Sequence, residues 1–571
     1  MKIVHRVPDT ELHSLPDWNL DPVLTRILWS RGVKNPSEAV YDLNRILSPS
    51  LHGMSEAVNI LADAVVSQNK IMIVGDYDAD GATSTALAMR FFRDINYGDV
   101  SFEIPSRQDD GYGLNRSIVL AAAESKVNVI VTVDNGISAN EAVSLAVSLG
   151  IKVVITDHHI PGDIIPDAQA IVNPHLQTCT FPSKNLAGVG VIFYVVASLR
   201  SELNKRGYFS ERNLTVPVVS NYLDFVALGT IADMVPMDYN NRLMADYGIR
   251  LIRAGRTTRG LMELIRICGL NCQNFKATDI VFSLCPRINA AGRIADMSYG
   301  VKCLLAERED DAKVGAGLLQ SFNVDRRNIE ADMMNTALTQ IRLEYDGNLP
   351  GALVLYNSSF NIGVMGIVAA KIKDLTGLTT VIMADSPNDE LLVGSVRAVD
   401  GYHVCDALKR INQEHPEIFK AFGGHKGAAG LTIRREYLNF FKEQFILDSN
   451  RYSSERTDEV IVTDGELPSG YFISDFARVL VFDQPWGAEF SSPLFDGVFQ
   501  LISQYVVGGK HLNVRLRMAD GTVVSGMYYN HDVKVWPNYS VKKVRAVYGF
   551  DIQKNSSEAG VRVIIRNMEP A

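Results

Sequence analysis

Ile71-Met72-Ile73-Val74-Gly75-Asp76-Tyr77-Asp78-Ala79-Asp80-Gly81 is the stretch around which the chain is organised. Its four apolar residues read as a buried strand, and Gly81 with Ala82-Thr83-Ser84-Thr85-Ala86-Leu87 reads as a turn into a helix. Alternate residues of an extended segment point the same way, so Asp76, Asp78 and Asp80 are expected to project together from the carboxyl end of the strand. Like charges that close repel one another, and a divalent cation is the usual remedy. A solvated acidic turn is the competing reading, and the surrounding chain weighs between the two.

Strand-like runs at 71–75, 100–104, 128–133 and 151–156 alternate with helix-like stretches at 82–94, 115–125 and 138–149. This is the pattern of a parallel sheet with helices on its faces. Ligands of such sheets sit beyond the carboxyl ends of the strands, where the polar clusters of this chain fall. The second strand ends in Ile104-Pro105-Ser106-Arg107 and runs on to Asp110-Gly111-Tyr112-Gly113-Leu114. The third ends in Asp134-Asn135-Gly136 and the fourth in Asp157-His158-His159. A lone acid after a strand is often only a helix N-cap, but four clusters on one sheet edge point to a shared site. The apolar run from Tyr222 to Ala232 delivers a further carboxylate, Asp233, at its end.

The rest of the chain divides by texture. Residues 1 to 55 read as a small helical leader, 56–235 as the α/β domain, and 236–350 as a helical region ending in one long connector helix over about 309–346. Within it, Pro286-Arg287-Ile288-Asn289-Ala290-Ala291-Gly292-Arg293 reads as a small-residue turn carrying two arginines. A second α/β unit spans 351–450, with strands at 352–356, 379–383 and 391–395. Its dense glycines, Phe422-Gly423-Gly424-His425-Lys426-Gly427-Ala428-Ala429-Gly430, allow close backbone approach to a ligand. With Ser395, Arg397 and His425 nearby, a phosphate is the natural choice, although no Walker loop is present. From 455 to 571 six β-like runs, the first at 459–463, suggest a small OB-like barrel. Lys510, His511, Arg515, Arg517, Tyr528 and Tyr529 are candidates there for gripping a single strand. The expected fold class is therefore α/β: a parallel-sheet domain and a second α/β domain joined by a long helix, with a C-terminal β-barrel.

With 571 residues the chain can bury a large core, and 47% hydrophobic with 21% charged residues describes a soluble globular protein. The start, Met1 to Pro8, lacks the apolar core of a signal peptide, and no uncharged apolar run is long enough to span a bilayer. Six scattered cysteines without a paired spacing fit a reducing cytoplasm better than structural zinc. A net charge of −9 argues against a protein that coats nucleic acid, but it leaves room for a local basic groove.

The six carboxylates Asp76, Asp78, Asp80, Asp134, Asp157 and Asp233, with His158 and His159, suit Mn²⁺ or Mg²⁺. Six acids exceed the need of one ion, so a pair roughly 3.5–4 Å apart is the expectation. Such a pair clamps phosphoryl oxygens and acidifies a water. Arg107, Arg287, Arg293 and Arg397 would hold phosphate oxygens in bidentate fashion. The reaction class is phosphodiester or phosphoanhydride hydrolysis.

Asp76-Tyr77-Asp78-Ala79-Asp80, Asp134-Asn135-Gly136, Asp157-His158-His159 and Ala232-Asp233 resemble the four motifs of the DHH phosphoesterases. Pro286–Arg293 and Gly423–Gly430 resemble those of the associated DHHA1 region. Their order, the connector and the β-rich tail together resemble the single-strand-specific 5′→3′ exonucleases of that family over nearly the whole chain. The resemblance implies a Mn²⁺/Mg²⁺ centre between the two α/β domains. It implies Asp78, Asp80, Asp134, His158 and Asp233 as ligands, with Asp76 and Asp157 either ligands or supports behind them. His159 would face the scissile phosphate, with Asp134 and Asp157 beside it in the catalytic set. Arg107, Tyr112, Arg287, Asn289, Arg293, Ser395, Arg397 and His425 would line the path of the strand. The implied partners are single-stranded DNA, a single-strand-binding protein and a helicase in repair and recombination. A monomer away from any membrane is expected.

The chain departs from the family at Phe360-Asn361-Ile362, Cys285, Lys426-Gly427 and Val396, all on the presumed DNA side. Two other functions compete. Relatives that cleave short oligoribonucleotides or cyclic dinucleotides lack the β-rich tail. A non-catalytic DNA-binding scaffold would show eroded ligand positions, which this chain does not.

Overall fold

The computed structural model describes residues 2–106, 113–387, 390–452, 460–552 and 561–571. Strand β1 is Lys2–His5. The next five strands, β2 (Ile71–Val74), β3 (Val100–Glu103), β4 (Val129–Val133), β5 (Lys152–Thr156) and β6 (Ala170–Val172), form one sheet in the order β3-β2-β4-β5-β6. Every pairing in it is parallel. The strands β2 and β4 are buried along their whole length, as the apolar runs of a sheet covered on both faces require. Ile73, Val129 and Val131 face one helical layer, which includes Ala79–Asp94 and Gly188–Lys205. Met72, Val74 and Ile130 face the other, built from Arg116–Glu124 and Asn140–Ser148.

One local expectation is corrected. The helix after β2 begins at Ala79, not near 82, so the three acids do not alternate along an extended run. Asp78 caps the helix by accepting from Gly81 N (3.0 Å), and Asp80 lies in its first turn. A carboxylate that satisfies a free amide at a helix start favours helix over continued strand.

The second α/β unit contains β7 (Ala352–Tyr356), β8 (Thr379–Asp385), β9 (Leu391–Arg397), β10 (Phe419–Gly424) and β11 (Ala428–Arg434), ordered β10-β11-β9-β8-β7. The glycine-rich segment is therefore mostly two antiparallel strands joined by a short turn. The helix Glu309–Tyr345, 37 residues long, connects the two units. The Pro286–Arg293 segment, expected as a turn, lies in the helix Cys285–Ile294. Proline is tolerated in a first helical turn. The small residues serve packing instead, since a Cβ on Gly292 would strike the Tyr77 carbonyl.

The tail strands are β12 (Val460–Thr463), β13 (Phe495–Val507), β14 (His511–Arg517), β15 (Val523–Tyr528), β16 (Lys543–Ile552) and β17 (Val561–Pro570). The last five close into a barrel, β13-β14-β15-β17-β16, while β12 leaves it and pairs in parallel with β1. The leader is thus only partly helical. It carries β1, the α-helix Pro22–Trp29 and three short 3₁₀ turns, because its first residues are used to complete a two-stranded sheet. Arg31, buried, donates two hydrogen bonds to Asp464 (2.7 and 2.9 Å) and one to Ser491 O (2.6 Å), tying the leader to the tail. One hydrophobic core runs through the leader, the first sheet and the barrel, from Val23 to Met568. The second α/β unit has its own.

Candidate metal centre

Three of the four strand ends named in the sequence, with the end of one helix, contribute to one cluster. Asp76 leaves β2, and Asp80 sits one turn into the helix that follows. Asp134 leaves β4, Asp157 leaves β5, and Asp233 caps the carboxyl end of the helix Leu223–Ala232. Among the described residues, three sets of ligand atoms each fall within 4.8 Å: Asp76 with Asp78 and Asp134, Asp80 with His158 and Asp233, and Asp134 with His158 and His159. Asp134 and His158 each belong to two of these sets.

Local backbone geometry explains the convergence. Asp134 has a φ of +63°, a left-handed conformation that costs a non-glycine residue roughly 1–3 kcal/mol. Asn135 maintains that turn. Its Nδ2 donates to Val74 O and Val133 O (both 2.9 Å), and its Oδ1 accepts from Leu114 N (3.1 Å). Asp80, fully buried, accepts from Gly188 N (2.6 Å) and Val189 N (3.1 Å) at the start of the helix Gly188–Lys205. The amino end of an 18-residue helix favours negative charge.

Even so, the centre is over-supplied with negative charge. Burial, then Asp233 and Asp78, push the Asp80 carboxyl well above the usual range. Burial and the neighbouring carboxylates do the same to Asp134. Burial and Asp78 push Asp233 up to about 7. Burial, then the neighbouring His159, lowers His158 to about 4, so its ring is neutral, and a hydrogen bond to the Leu186 backbone orients it. Its Nε2 is buried without a hydrogen-bond partner, yet faces oxygens of Asp134 (3.1 Å), Asp233 (3.5 Å) and Asp80 (4.0 Å). A neutral imidazole nitrogen among mutually repelling carboxylates fits a hard divalent cation, which relieves the repulsion and satisfies the nitrogen.

Asp157 plays a different part. Its Oδ1 accepts from His158 N (2.7 Å), His159 N (3.1 Å) and His159 Nδ1 (2.8 Å), and its Oδ2 from Ile137 N (2.9 Å). Burial alone would raise its pKa, but these donors outweigh burial and hold it below the usual value. Its oxygens are thus occupied, and it belongs to none of the three ligand sets. Burial likewise works against charging His159, but the Asp157 carboxylate overcomes it and raises the imidazole to about 9. His159 is therefore a cation at neutral pH, and its side chain is 40% exposed towards solvent.

Several contributors escaped sequence reasoning. Gly188 and Val189 act through backbone amides, and the only trace of this is the run Gly188-Val189-Gly190 opening a helix. Gly229 leaves room for Asp80, because a Cβ there would lie 2.5 Å from Thr83 Oγ1 and closer still to the Asp80 carboxylate. Asn173, fully buried, donates to His159 O (2.9 Å).

A cleft of about 490 Å³ adjoins the cluster between the two α/β units. Tyr77, Arg293, Gly363, Ser395, Arg397 and Phe422 are among its walls. Arg293, Ser395 and Arg397 thus meet in one cleft. Asn289 lies in a smaller cavity next to it. Arg287 is turned away, donating to Gln320 Oε1 (2.7 Å) and Ser283 O (2.6 Å). His425 stands exposed at the β10–β11 turn and is not in the cleft wall. Arg107 and Tyr112 lie outside the described residues.

This arrangement, a parallel-sheet domain bearing an acid–imidazole cluster and a second unit facing it, is that of the DHH phosphoesterases. The chain matches the DHH family, N-terminal domain, over residues 70–230, the DHHA1 domain over 350–446 and the RecJ OB domain over 463–567. It is 40% identical over 561 residues to the single-stranded-DNA-specific exonuclease RecJ of Escherichia coli (strain K12), covering 96% of each chain. To the protein of that name from Haemophilus influenzae it is 38% identical, again over 96% of each. Among solved structures, RecJ from Thermus thermophilus in complex with Mn²⁺ shares the fold, with a TM-score of 0.81, 24% identity, and coverage of 100% of this chain and 79% of that one. An exonuclease RecJ bound to manganese matches with a TM-score of 0.59 and 30% identity over 71% of this chain and 97% of that one. The chain belongs to the RecJ family.

Proposed function

We propose that this chain is a metal-dependent exonuclease that removes nucleotides from the 5′ end of single-stranded DNA. The observation that carries the reading is the position of Tyr77. Its neighbours Asp76 and Asp78 belong to the carboxylate cluster, and it also lines the cleft that holds Arg293, Ser395 and Arg397. A phosphodiester gripped in that cleft lies against the metal ligands.

Asp76, Asp78, Asp80, Asp134, His158 and Asp233 would hold two Mn²⁺ or Mg²⁺ ions, the metals found in solved relatives. Bound there, the ions supply neutralising charge at the phosphoryl oxygens and acidify a water. The protein's own groups do the rest. Arg397 and Ser395 hold the phosphate side of the strand through charged and neutral donors. The His159 cation, oriented by Asp157, gives its proton to the leaving 3′ oxygen as the P–O3′ bond breaks. The barrel guides the incoming strand. No helix among the described residues is long and apolar enough to cross a membrane. On this reading the protein acts in the cytoplasm as a monomer, with a single-strand-binding protein and a helicase presenting the strand.

The test is product analysis with Mn²⁺ on 5′-labelled strands, single and blunt duplex. Labelled mononucleotide released from the single strand alone supports the reading, and equal digestion of the duplex refutes it.

A further inference from the structure

Gly292 and Arg293 bridge the two α/β units largely through bare backbone. On one side Gly292 lies against the carbonyl of Tyr77, the residue between Asp76 and Asp78 of the metal cluster. On the other, Gly363 of the second unit sits so close that a Cβ on it would strike the Arg293 carbonyl. The Arg293 guanidinium also donates from Nη1 to Gly363 O (3.0 Å), so Arg293 holds this glycine with both main chain and side chain. Gly366 follows in the first turn of the helix Met365–Thr376. A Cβ on it would lie 3.0 Å from Arg397 Nη2 and 3.1 Å from Ser395 Oγ. The short segment Gly363–Gly366 therefore touches Arg293, Ser395 and Arg397, the polar groups of the cleft.

Asn361 keeps that segment in shape. Its Oδ1 accepts from Gly363 N (2.9 Å), and its carbonyl oxygen accepts from Val364 N and Met365 N (both 3.1 Å). Three consecutive amides thus converge on one residue. An asparagine that accepts from the amide two residues on is a strong local turn former, because the bond replaces one the backbone would otherwise lack. The Asn361 N–H donates in turn to Met333 Sδ of the connector helix (3.4 Å), and the buried Phe360 beside it packs in the same core as Met333. The turn is therefore anchored behind as well as in front. Asn361 itself is not in the cleft wall, although Ile362 and Gly363 are. Its acceptor oxygen is used within the turn, out of reach of a strand in the cleft.

We propose that Asn361 is a positioning residue for strand degradation: it fixes the Gly363–Gly366 turn, and through that turn the placing of Arg397 and Ser395 against Arg293 and the metal centre. The departure from the family at Phe360-Asn361-Ile362 then acts on the strand through the turn and not by the contact of Asn361 with it. The inference rests on the exonuclease reading and adds to it a residue that touches neither metal ligands nor strand.

The test is steady-state degradation of a 5′-labelled single strand with Mn²⁺. Asn361→Ala should raise KM roughly ten-fold and change kcat less than about two-fold, since a grip common to the bound and the reacting strand is loosened. Asn361→Asp keeps the accepting oxygen and should stay close to wild type. Arg397→Met should raise KM as well, and adding Asn361→Ala to it should raise KM little further, because both changes act through one group. A merely structural role would instead lower the active fraction, and with it the apparent kcat, at unchanged KM. Gly366→Ala presses a Cβ on Arg397 and Ser395 while leaving the Asn361 bonds in place, and should raise KM to a like extent; it carries the test if Asn361→Ala does not fold. Wild-type KM in folded Asn361→Ala or folded Gly366→Ala overturns the inference. So does an Asn361→Asp protein no better than Asn361→Ala, or KM increases that multiply in the double variant. Wild type that degrades no single strand would instead overturn the exonuclease reading on which the inference stands.

Discussion

A Cβ placed on Gly188 would come within 2.5 Å of the Asp134 Cβ and 2.7 Å of its Oδ1. Glycine here is a requirement of the metal cluster, because Asp134 can swing over the sheet edge only if the helix start beside it carries no side chain. Gly188→Ala should displace Asp134 and weaken Mn²⁺ binding roughly 10- to 100-fold, the range typical of changes to ligand support. Calorimetric titration of the purified variant with Mn²⁺ checks this; wild-type affinity would show that Asp134 is not held as described.

Metal-free protein should carry the cost of its repelling carboxylates. Asp233 has its pKa raised to about 7, so between its ordinary value and 7 the folded state binds more protons than the unfolded one. Stability contributed at this position therefore falls as pH rises through that window. Asp233→Asn should raise the melting temperature of the metal-free protein more at pH 8 than at pH 5. It should also reduce the further stabilisation that Mn²⁺ gives wild type at pH 8. A larger gain at pH 5 would reverse the sign and contradict the account.

Asp157 keeps His159 protonated through the 2.8 Å contact at Nδ1. Asp157→Asn should bring the His159 pKa from about 9 down towards its ordinary value. Proton NMR of the imidazole signals against pH reads this directly. Activity should then fall off at a lower pH than in wild type, since the proton donor is lost earlier on the alkaline side.

How much of this was legible in the sequence depends on whether a residue acts through its side chain or its backbone. Asp134, Asp157, His158 and Asp233 were visible because each follows an apolar run that had to be a strand or helix, and element ends gather at one edge of a parallel sheet. Gly188 and Val189 were not, since they work through amides whose direction no side chain announces. The helix start at Asp78 was missed because strand alternation and helix capping both use an acid at that point, and only packing chooses between them. Arg287 carries the same charge as Arg293, but its different place along the helix points it at Gln320 instead of the cleft. The β1–β12 pairing joins residues more than 450 positions apart, a distance over which local pattern says nothing.

That pairing is reinforced by Arg31 and Asp464, both buried. Arg31→Met leaves the Asp464 carboxylate without its main partner, and breaking a buried pair costs roughly 3–5 kcal/mol. Urea unfolding should show a loss of that order, with the leader and barrel the first parts to open by hydrogen exchange. A change below about 1 kcal/mol, the level of a surface pair, would mean that the leader is not held by this contact.

Asp134 belongs to two of the three ligand sets, so the metal centre depends on it more than on any residue that belongs to one. The most direct measurement compares wild type with Asp134→Ala on a 5′-labelled single strand in the presence of Mn²⁺. Wild type should release mononucleotides stepwise from the 5′ end and the variant none, with both proteins folded. Strand degradation that survives Asp134→Ala would contradict this.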